Sequence, residues 1–260
     1  MPLLRVISLT NQKGGVGKTT TAVNLGVALN NLGRKVLIVD VDPQGNATTH
    51  LGINPDSVEA SVYDIMRGEV APKDARIEVR AGLDLIPSNI ELSGAEIDLV
   101  NTIGRERLLK DALSRIRAYE YILVDCPPSL GLLTINALVA SKEVFIILQP
   151  EFFALKGVRK LIDTVDLVKS RMNRGLTISG VVVCLYDKRR NLCKEVTRQI
   201  RAYFGHRAFR TVIHDNVALA EAPIKGKDIF SYQPKSRGAL DYDALSREVD
   251  HHGQKKVARR

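Results

Sequence analysis

The residues best suited to chemistry lie in a glycine-rich stretch close to the start of the chain. Residues 11–21 read NQKGGVGKTTT and match the phosphate-loop pattern G-x-x-x-x-G-K-[ST], except that Gln12 replaces the first glycine. Glycines have no Cβ, so the backbone N–H groups of such a loop can turn around phosphate oxygens. Lys18 is placed to reach the β- and γ-phosphates, and the Thr19 hydroxyl to ligate Mg²⁺. The loop residues expected to surround the phosphates are Gly14, Gly15, Val16, Gly17, Lys18, Thr19 and Thr20.

Two aspartates at the ends of apolar runs extend this predicted site. In ILVDCPP, Asp125 has the usual position of a carboxylate that holds Mg²⁺ through water. In VDVDPQGN, Pro43 and Gly45 force a turn that holds Asp42 at the same edge. A carboxylate there can orient and polarise a water in line with the γ-phosphate. The alternatives are a simple helix cap for Asp125 and an Asx-type turn without chemistry for Asp42.

Only a sheet with parallel strands brings these strand ends together. Short apolar runs alternate with helical patterns, which is typical of βαβ units. Seven runs are predicted to be strands: 5–11, 35–42, 83–88, 121–128, 143–150, 178–187 and 210–216. One helix is predicted to stop near Gly33 and another to span about 154–171. The predicted fold is α/β, a single doubly wound domain (1–250) whose mostly parallel sheet has helices on both faces, followed by a basic, frayed tail (251–260).

The positive charge of the chain is concentrated in its second half. The net charge is +9 over 260 residues, with −2 on residues 1–130 and +11 on residues 131–260. Such asymmetry indicates a polyanionic partner, either nucleic acid or anionic lipid. A solvated basic face without any partner is the alternative.

Cysteine usage and apolar run lengths favour a reduced, cytoplasmic protein. The three cysteines, Cys126, Cys184 and Cys193, leave one unpaired in any disulfide scheme and show no metal-type spacing. The longest apolar runs, such as VFIIL, are far shorter than the roughly 20 residues that cross a bilayer.

Several longer motifs resemble a known family. KGGVGKTT, DVDPQGN and DCPPSLGLLTINAL together resemble the deviant-Walker-A ATPases. ELSGAEIDLV, TVIHDNVALAEAP and SRGALDY narrow the resemblance to the chromosomal ParA/Soj partition ATPases, over about residues 4–250. The resemblance implies a P-loop NTPase fold and an enzyme that converts ATP and water to ADP and phosphate, with Mg²⁺ as cofactor.

The resemblance also gives a role to Lys13, for which the phosphate-loop pattern has no place. In this family the lysine at that position reaches across a dimer interface to the phosphates of the partner's nucleotide. Two buried triphosphates would repel each other, and one extra cation per subunit offsets the repulsion. ATP is therefore expected to favour a homodimer and ADP the monomer. The expected catalytic residues are Lys13, Lys18 and Asp42. Asn216 matches a family position near the adenine, whereas His214 stands where the family usually has proline.

The family binds double-stranded DNA without sequence preference, through a surface that this chain matches in part. Residues 187–210 carry eight Lys or Arg residues against two acids. The basic surface expected here consists of Arg189, Arg190, Lys225 and Lys227. Ala218 departs from the family, since many relatives have a DNA-contacting arginine there. A ParB-like, centromere-binding partner is expected to stimulate hydrolysis, and the protein is expected on the nucleoid.

Three other classes use related chemistry. A MinD-like, membrane-cycling ATPase is the main alternative, and it needs a C-terminal amphipathic helix with large apolar residues on one face. LSREVDHHGQKKVARR has little apolar material after Val249, so no membrane partner is expected. Nitrogenase-reductase-like electron donors need cluster-bridging cysteines, for which no suitable pair is present. A scaffold that binds ATP without hydrolysing it is opposed by the intact Lys18, Thr19 and Asp42.

Overall fold

The computed structural model of the protein describes residues 4–257. The strands are β1 (Arg5–Thr10), β2 (Val36–Asp40), β3 (Ile77–Arg80), β4 (Leu83–Ile86), β5 (Tyr121–Asp125), β6 (Glu143–Leu148), β7 (Thr177–Tyr186) and β8 (Ala208–His214). The α-helices are α1 (Lys18–Asn31), α2 (Asn46–His50), α3 (Val62–Arg67), α4 (Ala95–Asp98), α5 (Leu108–Leu113), α6 (Leu132–Ala140), α7 (Ala154–Arg171), α8 (Asn191–Phe204), α9 (Val217–Glu221), α10 (Ile229–Tyr232) and α11 (Arg237–Val257). Short 3₁₀ turns occupy some of the connections.

All described strands form one sheet in the order β3-β4-β2-β5-β1-β6-β7-β8. Every neighbouring pair is parallel except β3 and β4. The predicted doubly wound, mostly parallel sheet is therefore confirmed. The chain places β1 between β5 and β6, so the strand order reverses at β1. The loop that follows β1 opens into the crevice where such sheets bind ligands.

The antiparallel edge strand β3 is absent from the seven strands predicted from the sequence. Three of its four residues, IEVR, are half-buried and Glu78 is exposed, so they do not form an apolar run. It joins β4 through a two-residue turn at Ala81 and Gly82, and Gly82 has a φ of +79°. A short, charged strand protects the open edge of a sheet from further pairing. Because such a strand contains no apolar run, a search for apolar runs does not detect it.

The apolar strands are covered on both faces, as predicted from their composition. In β1, Ile7 and Leu9 belong to a core cluster with α1 and α11, whereas Val6 belongs to a cluster with α3 and α5. A third cluster packs β6 and β7 against α7 and α8. Burial of one such aliphatic side chain is worth about 1.5–3 kcal/mol. The two covered faces leave only the strand ends free to carry polar chemistry.

The observed element ends differ from the predicted ones in a consistent way. β2 ends at Asp40 and β5 at Asp125, two and three residues before the predicted ends, so the polar residues that follow belong to loops. The helix predicted over 154–171 is confirmed as α7.

The last helix extends into the predicted tail. α11 continues past residue 250 to Val257, and residues 258–260 lie outside the described range. Asp250 is held in this helix by ion pairing with Arg34 at 2.8 Å. Within the described residues, no helix combines the length and apolar character needed to cross a membrane.

Candidate functional site

The loop between β1 and α1 is built to hold an anion. Asn11 fixes its start, because its Nδ2 donates to the carbonyl of Ile147 over 2.6 Å and its Oδ1 accepts the N–H of Lys13 over 2.9 Å. Gly17 has a φ of +96°, in the left-handed region that favours glycine. Helix α1 begins at the next residue, so its free N–H groups and the positive end of its dipole face the loop.

A cavity of about 580 Å³, the main cavity, opens at the carboxyl ends of the strands. One end is lined by Gly14, Gly15, Gly17, Lys18, Thr19 and Thr20, with Asp42 beside them. The far end is lined by Ile213, His214, Asp215, Asn216 and Leu219. Val16 is not part of the lining, because its side chain is buried in the core and only 1% exposed. Its expected contact with phosphate is therefore limited to the backbone.

Lys18 is a buried cation beside two carboxylates. It is 6% exposed, and its Nζ donates to the carbonyl of Lys13 over 3.2 Å. Burial lowers the pKa of Lys18, and the negative charges of Asp125 and Asp42 oppose that shift. A buried ammonium with little direct pairing gains most from an added anion.

The carboxylate of Asp125 is fully buried, and neither of its oxygens has a hydrogen-bond partner within the described part of the chain. Burial raises the pKa of Asp125 well above its usual range, and Asp40, its neighbour in the β2–β5 register, raises it further. The Thr19 hydroxyl and the Lys18 ammonium lie near enough to oppose the shift. Two orphaned oxygens near a hydroxyl fit a hydrated Mg²⁺ ion, which would supply the missing partners.

Protein side chains alone do not complete a metal site. Among residues 4–257, with the side chains that the structure describes, no group of three or more His, Cys, Asp or Glu residues could hold a metal ion. A magnesium ion near Thr19 and Asp125 would therefore need phosphate oxygens and water as its other ligands.

Asp40 is the last residue of β2 and Asp42 lies two residues beyond it, and the two carboxyl groups have different surroundings. Oδ2 of Asp40 accepts the N–H and the hydroxyl of Thr48 over 2.9 and 2.8 Å, and burial raises the pKa of Asp40 to about 6. Its Oδ1 accepts the N–H of Asp42 over 3.2 Å, so it fixes the turn.

Asp42 makes the Asx-type turn that was the alternative to a chemical role. Its Oδ1 accepts the N–H of Gln44 over 3.1 Å. The same carboxyl group lines the main cavity, and its Oδ2 makes no hydrogen bond with the described residues. The turn therefore holds one oxygen and leaves the other available to a water in the cavity.

Lys13 lies outside the main cavity. Its side chain is 53% exposed, with Nζ 2.5 Å from Oε2 of Glu151 and 3.3 Å from Oε1 of Gln149. Both partners follow β6, the neighbour of β1. An exposed pair of this kind is worth about 0–1 kcal/mol, so another anion can replace Glu151 at low cost.

The loop after β8 forms the far end of the main cavity. Asn216 lines it, and the Asn216 Oδ1 is buried without a hydrogen-bond partner among the residues described. His214, at the end of β8, is held by Asp241 of α11, whose Oδ2 lies 2.9 Å from the His214 backbone nitrogen and 2.8 Å from Nδ1. Asp241 belongs to the motif SRGALDY, but it lies 27 residues from His214, and no local pattern pairs the two residues.

On the basic surface, the two arginines share one acid. Arg189 and Arg190 lie between β7 and α8 with side chains 85% and 75% exposed. Their Nε atoms lie 3.0 and 3.5 Å from the carboxylate of Asp187. The hydrogen bonds from Arg189 lower the pKa of Asp187 to about 2, so this carboxylate stays charged at neutral pH and offsets part of the arginine charge.

The other expected DNA contacts lie on the turn between α9 and α10. Lys225 and Lys227 are exposed, and neither forms an ion pair with a described residue. Ala218, for which the resemblance leads us to expect an arginine, is 5% exposed and packs in the core. Position 218 therefore adds no charge to the expected basic surface.

Comparison with known proteins identifies one family model and several relatives that match most of the chain. A family model described as an AAA domain matches residues 4–178. The chain is 50% identical over 251 residues to the sporulation initiation inhibitor protein Soj of Bacillus subtilis, which covers 96% of this chain and 99% of that protein. It is 47% identical over 250 residues to the chromosome partitioning protein ParA of Caulobacter vibrioides, which covers 95% of this chain and 94% of that protein.

Solved structures show the same architecture. A cobyrinic acid a,c-diamide synthase from Mycobacterium smegmatis with a bound ATP analogue and magnesium has a TM-score of 0.86 and 35% identity, covering 97% of this chain and 96% of that one. The septum site-determining protein MinD from Pyrococcus horikoshii, complexed with Mg-ADP, has a TM-score of 0.77 and 27% identity, covering 95% and 96%. The similarity thus extends over the whole sheet and is not limited to the phosphate loop.

Proposed function

Because the chain belongs to the ParA/Soj family of ATPases, we propose that it is a chromosome-partitioning ATPase whose ATP-bound homodimer binds DNA and separates after hydrolysis. One observation supports this most directly. Lys18 lines the main cavity, whereas Lys13, five residues earlier in the same loop, lies outside it on an exposed pair with Glu151. A lysine excluded from its own cavity is available to the nucleotide of a second subunit.

Within one subunit, we assign a task to each residue, and the described contacts support this assignment. ATP occupies the main cavity with its triphosphate at the phosphate loop, and bound Mg²⁺ offsets the charge on the β- and γ-phosphates. Lys18 binds these phosphates, and the Thr19 hydroxyl and the buried Asp125 hold the metal, Asp125 through water. The free Oδ2 of Asp42 orients and polarises the attacking water, which yields ADP and phosphate.

Between subunits, Lys13 exchanges Glu151 for the phosphates of the partner's nucleotide. Two triphosphates that face each other across an interface repel, and one lysine from each subunit offsets that repulsion. The exchange costs little, because the pair with Glu151 is half exposed and screened by solvent. Loss of the γ-phosphate removes the anion that Lys13 holds, so ADP favours separate subunits.

Dimerisation brings two weak basic surfaces onto one DNA duplex. If each subunit neutralises about three phosphates, a dimer neutralises about six, and log K falls with log salt at a slope of about −5. A single subunit with about three contacts binds very weakly at physiological salt. ATP therefore switches DNA binding on without any reading of base sequence.

Release from DNA requires hydrolysis that is slow until a partner acts. A ParB-like protein bound at a centromere stimulates the reaction, so that dimers leave DNA close to the cargo. The protein works in the cytoplasm on the nucleoid.

Sedimentation velocity with a non-cleavable ATP analogue tests the dimer. The wild type is expected to form a dimer with the analogue and a monomer with ADP. Lys13→Ala is expected to stay monomeric while binding the nucleotide within about threefold of wild type, since Lys13 does not line its own cavity. Lys35→Ala, at an exposed lysine before β2, is the matched control and should dimerise normally. A monomeric wild type with the analogue bound would refute the proposal.

Co-sedimentation distinguishes the DNA partner from a membrane. The wild type is incubated with random-sequence DNA or with anionic liposomes, each with ATP and with ADP. ATP-dependent retention on DNA alone supports the proposal. ATP-dependent retention on liposomes without DNA binding would identify a MinD-like, membrane-cycling ATPase instead.

A further inference from the structure

The far end of the main cavity contains a histidine whose ring is fixed by a buried carboxylate. His214 ends β8 and lines the cavity. Oδ2 of Asp241 lies 2.9 Å from the His214 backbone nitrogen and 2.8 Å from its Nδ1, and the Asp241 side chain is 5% exposed. Nε of Arg237 lies 3.0 Å from the other carboxylate oxygen. This cluster has no task in the phosphate chemistry described above.

The contacts determine which ring nitrogen carries the hydrogen. A backbone N–H is always a donor, so Oδ2 of Asp241 is an acceptor, and Nδ1 at 2.8 Å from it must be a donor as well. Nε of Arg237 directs its N–H at Nδ1 over 3.2 Å and lies 3.0 Å from Oδ1 of Asp241. The contact of Nδ1 with Oδ2 of Asp241 is shorter, at 2.8 Å, and an ionised carboxylate can only accept there, so Nδ1 is assigned the hydrogen. In the neutral ring, the free lone pair is therefore on Nε2.

Nε2 of His214 is available to a ligand. It makes no hydrogen bond within the described range, and it is not among the buried orphan atoms, unlike Nε2 of His50. The side chain is 18% exposed. The ring of Tyr186 packs edge-on against it, with centroids 5.4 Å apart and planes at 85°, which restrains the imidazole further. One wall of the cavity thus carries a fixed hydrogen-bond acceptor.

We propose that Nε2 of His214 accepts a hydrogen bond from the 6-amino group of the purine base and so selects adenine over 6-oxo purines. The inference rests on the proposed occupation of the main cavity by ATP. The amino group of adenine is a donor, whereas the 6-oxygen of guanine or hypoxanthine is an acceptor. A 6-oxo base would bring two lone pairs together at Nε2 and leave both without a hydrogen. Asp241 is a positioning residue, because it keeps the hydrogen on Nδ1.

Equilibrium binding of three triphosphates tests the selection without any turnover. The nucleotides are ATP, purine riboside triphosphate, which has no group at position 6, and inosine triphosphate, which has the 6-oxygen. The wild type is expected to bind them in that order, with ATP about tenfold tighter than inosine triphosphate. His214→Phe keeps a flat ring without an acceptor, and it should bind all three within about twofold of one another.

Two results would overturn the selection by His214. The wild type binding ATP and inosine triphosphate equally well would do so, and so would His214→Phe keeping the wild-type order. Either result leaves the proposed ATPase intact. Failure of every triphosphate to bind the wild type would instead contradict the proposed function, and this inference with it.

Nitrogen-15 NMR of the nucleotide-free protein tests the tautomer directly. The histidine signal that disappears in His214→Phe is expected to show hydrogen on Nδ1 and a free Nε2. Asp241→Asn retains an oxygen that can accept both contacts, so it should keep the preference for ATP. Asp241→Leu removes that acceptor and should reduce the preference to about twofold or less, while a common affinity for the triphosphate moiety remains. Hydrogen on Nε2 in the wild type, or a full preference in Asp241→Leu, would contradict the positioning role.

Discussion

The main cavity and the basic surface hold their charges in opposite ways. At the cavity, Lys18 is buried in the lining and Asp125 is buried close to it, and the backbone geometry of strand ends and a helix start sets their positions. On the basic surface, Arg189 and Arg190 are exposed and share Asp187. Buried charges interact strongly and tolerate little change, whereas exposed charges are screened and partly interchangeable. Substitutions in the cavity are therefore expected to abolish a step, and substitutions on the surface to shift an equilibrium.

The largest effect is expected at Asp42. Asp42→Ala should reduce ATP turnover by about 100-fold or more, because the carboxylate that orients the water is lost. ATP binding and dimerisation should remain, so the variant should stay on DNA. Phosphate release and DNA retention of the same preparation measure both properties.

A matched variant separates the two tasks of Asp42. Asp42→Asn keeps an oxygen for the N–H of Gln44, and therefore keeps the Asx turn. It should nevertheless lose turnover as Asp42→Ala does. Normal turnover in the asparagine variant would mean that the turn, and not the carboxylate, is what the reaction needs.

The next largest effect is expected at Lys18. Lys18→Gln should weaken ATP binding by about 10- to 100-fold, the range for a charge-assisted hydrogen bond made in a buried site. Equilibrium dialysis with radiolabelled ATP measures the change. Lys13→Gln is the control within the same loop, and its affinity as a monomer should change by less than about threefold. Equal losses in the two variants would remove the distinction between the two lysines.

A smaller effect is expected on the basic surface. Arg189→Glu should reduce DNA retention of the ATP-bound dimer by about tenfold at moderate salt and lower the salt slope by about two, one contact per subunit. Dimerisation should be unaffected. Arg171→Glu, which makes the same charge change at the exposed end of α7, is the control. If both variants lose DNA equally, the effect is due to net charge and not to this surface.

The smallest effect, and one of opposite sign, is expected at Asp187. In the wild type, the Asp187 carboxylate accepts the backbone N–H of Arg189 over 2.9 Å. Asp187→Asn keeps an oxygen that can accept this N–H, but it removes the negative charge that the two arginines share. DNA retention should therefore rise about two- to fivefold, with a steeper salt dependence. Fluorescence anisotropy with labelled random DNA measures it. A decrease would show that Asp187 orders the arginines for binding instead of neutralising them.

Much of the cavity was predictable because its chemistry is local. The glycines, Lys18 and Thr19 lie within a few residues, so their spacing alone fixes a loop before a helix. The apolar runs predicted a sheet covered on both faces, and they located seven of the eight described strands. The edge strand β3 did not, because a strand half open to solvent lacks that signal.

Other features depended on contacts that no local pattern contains. The tail predicted from 251 is helical to Val257, because α11 continues through the boundary without a break. Ala218 departs from its relatives in sequence, but only its burial shows that the position adds nothing to the surface. A count of charges over 187–210 includes Asp187, but it does not show that this one carboxylate contacts both Arg189 and Arg190.

By itself, the sequence determined a doubly wound sheet with a phosphate loop and two strand-end carboxylates, because glycine conformation and hydrophobic periodicity are properties of neighbouring residues. Only the tertiary structure decided where the side chains around that loop go. The pairing of Lys13 with Glu151 joins residues 138 apart, and the contact of His214 with Asp241 joins residues 27 apart. Such partners meet only once the sheet has set the distance between its strand ends, so their chemistry belongs to the fold as a whole.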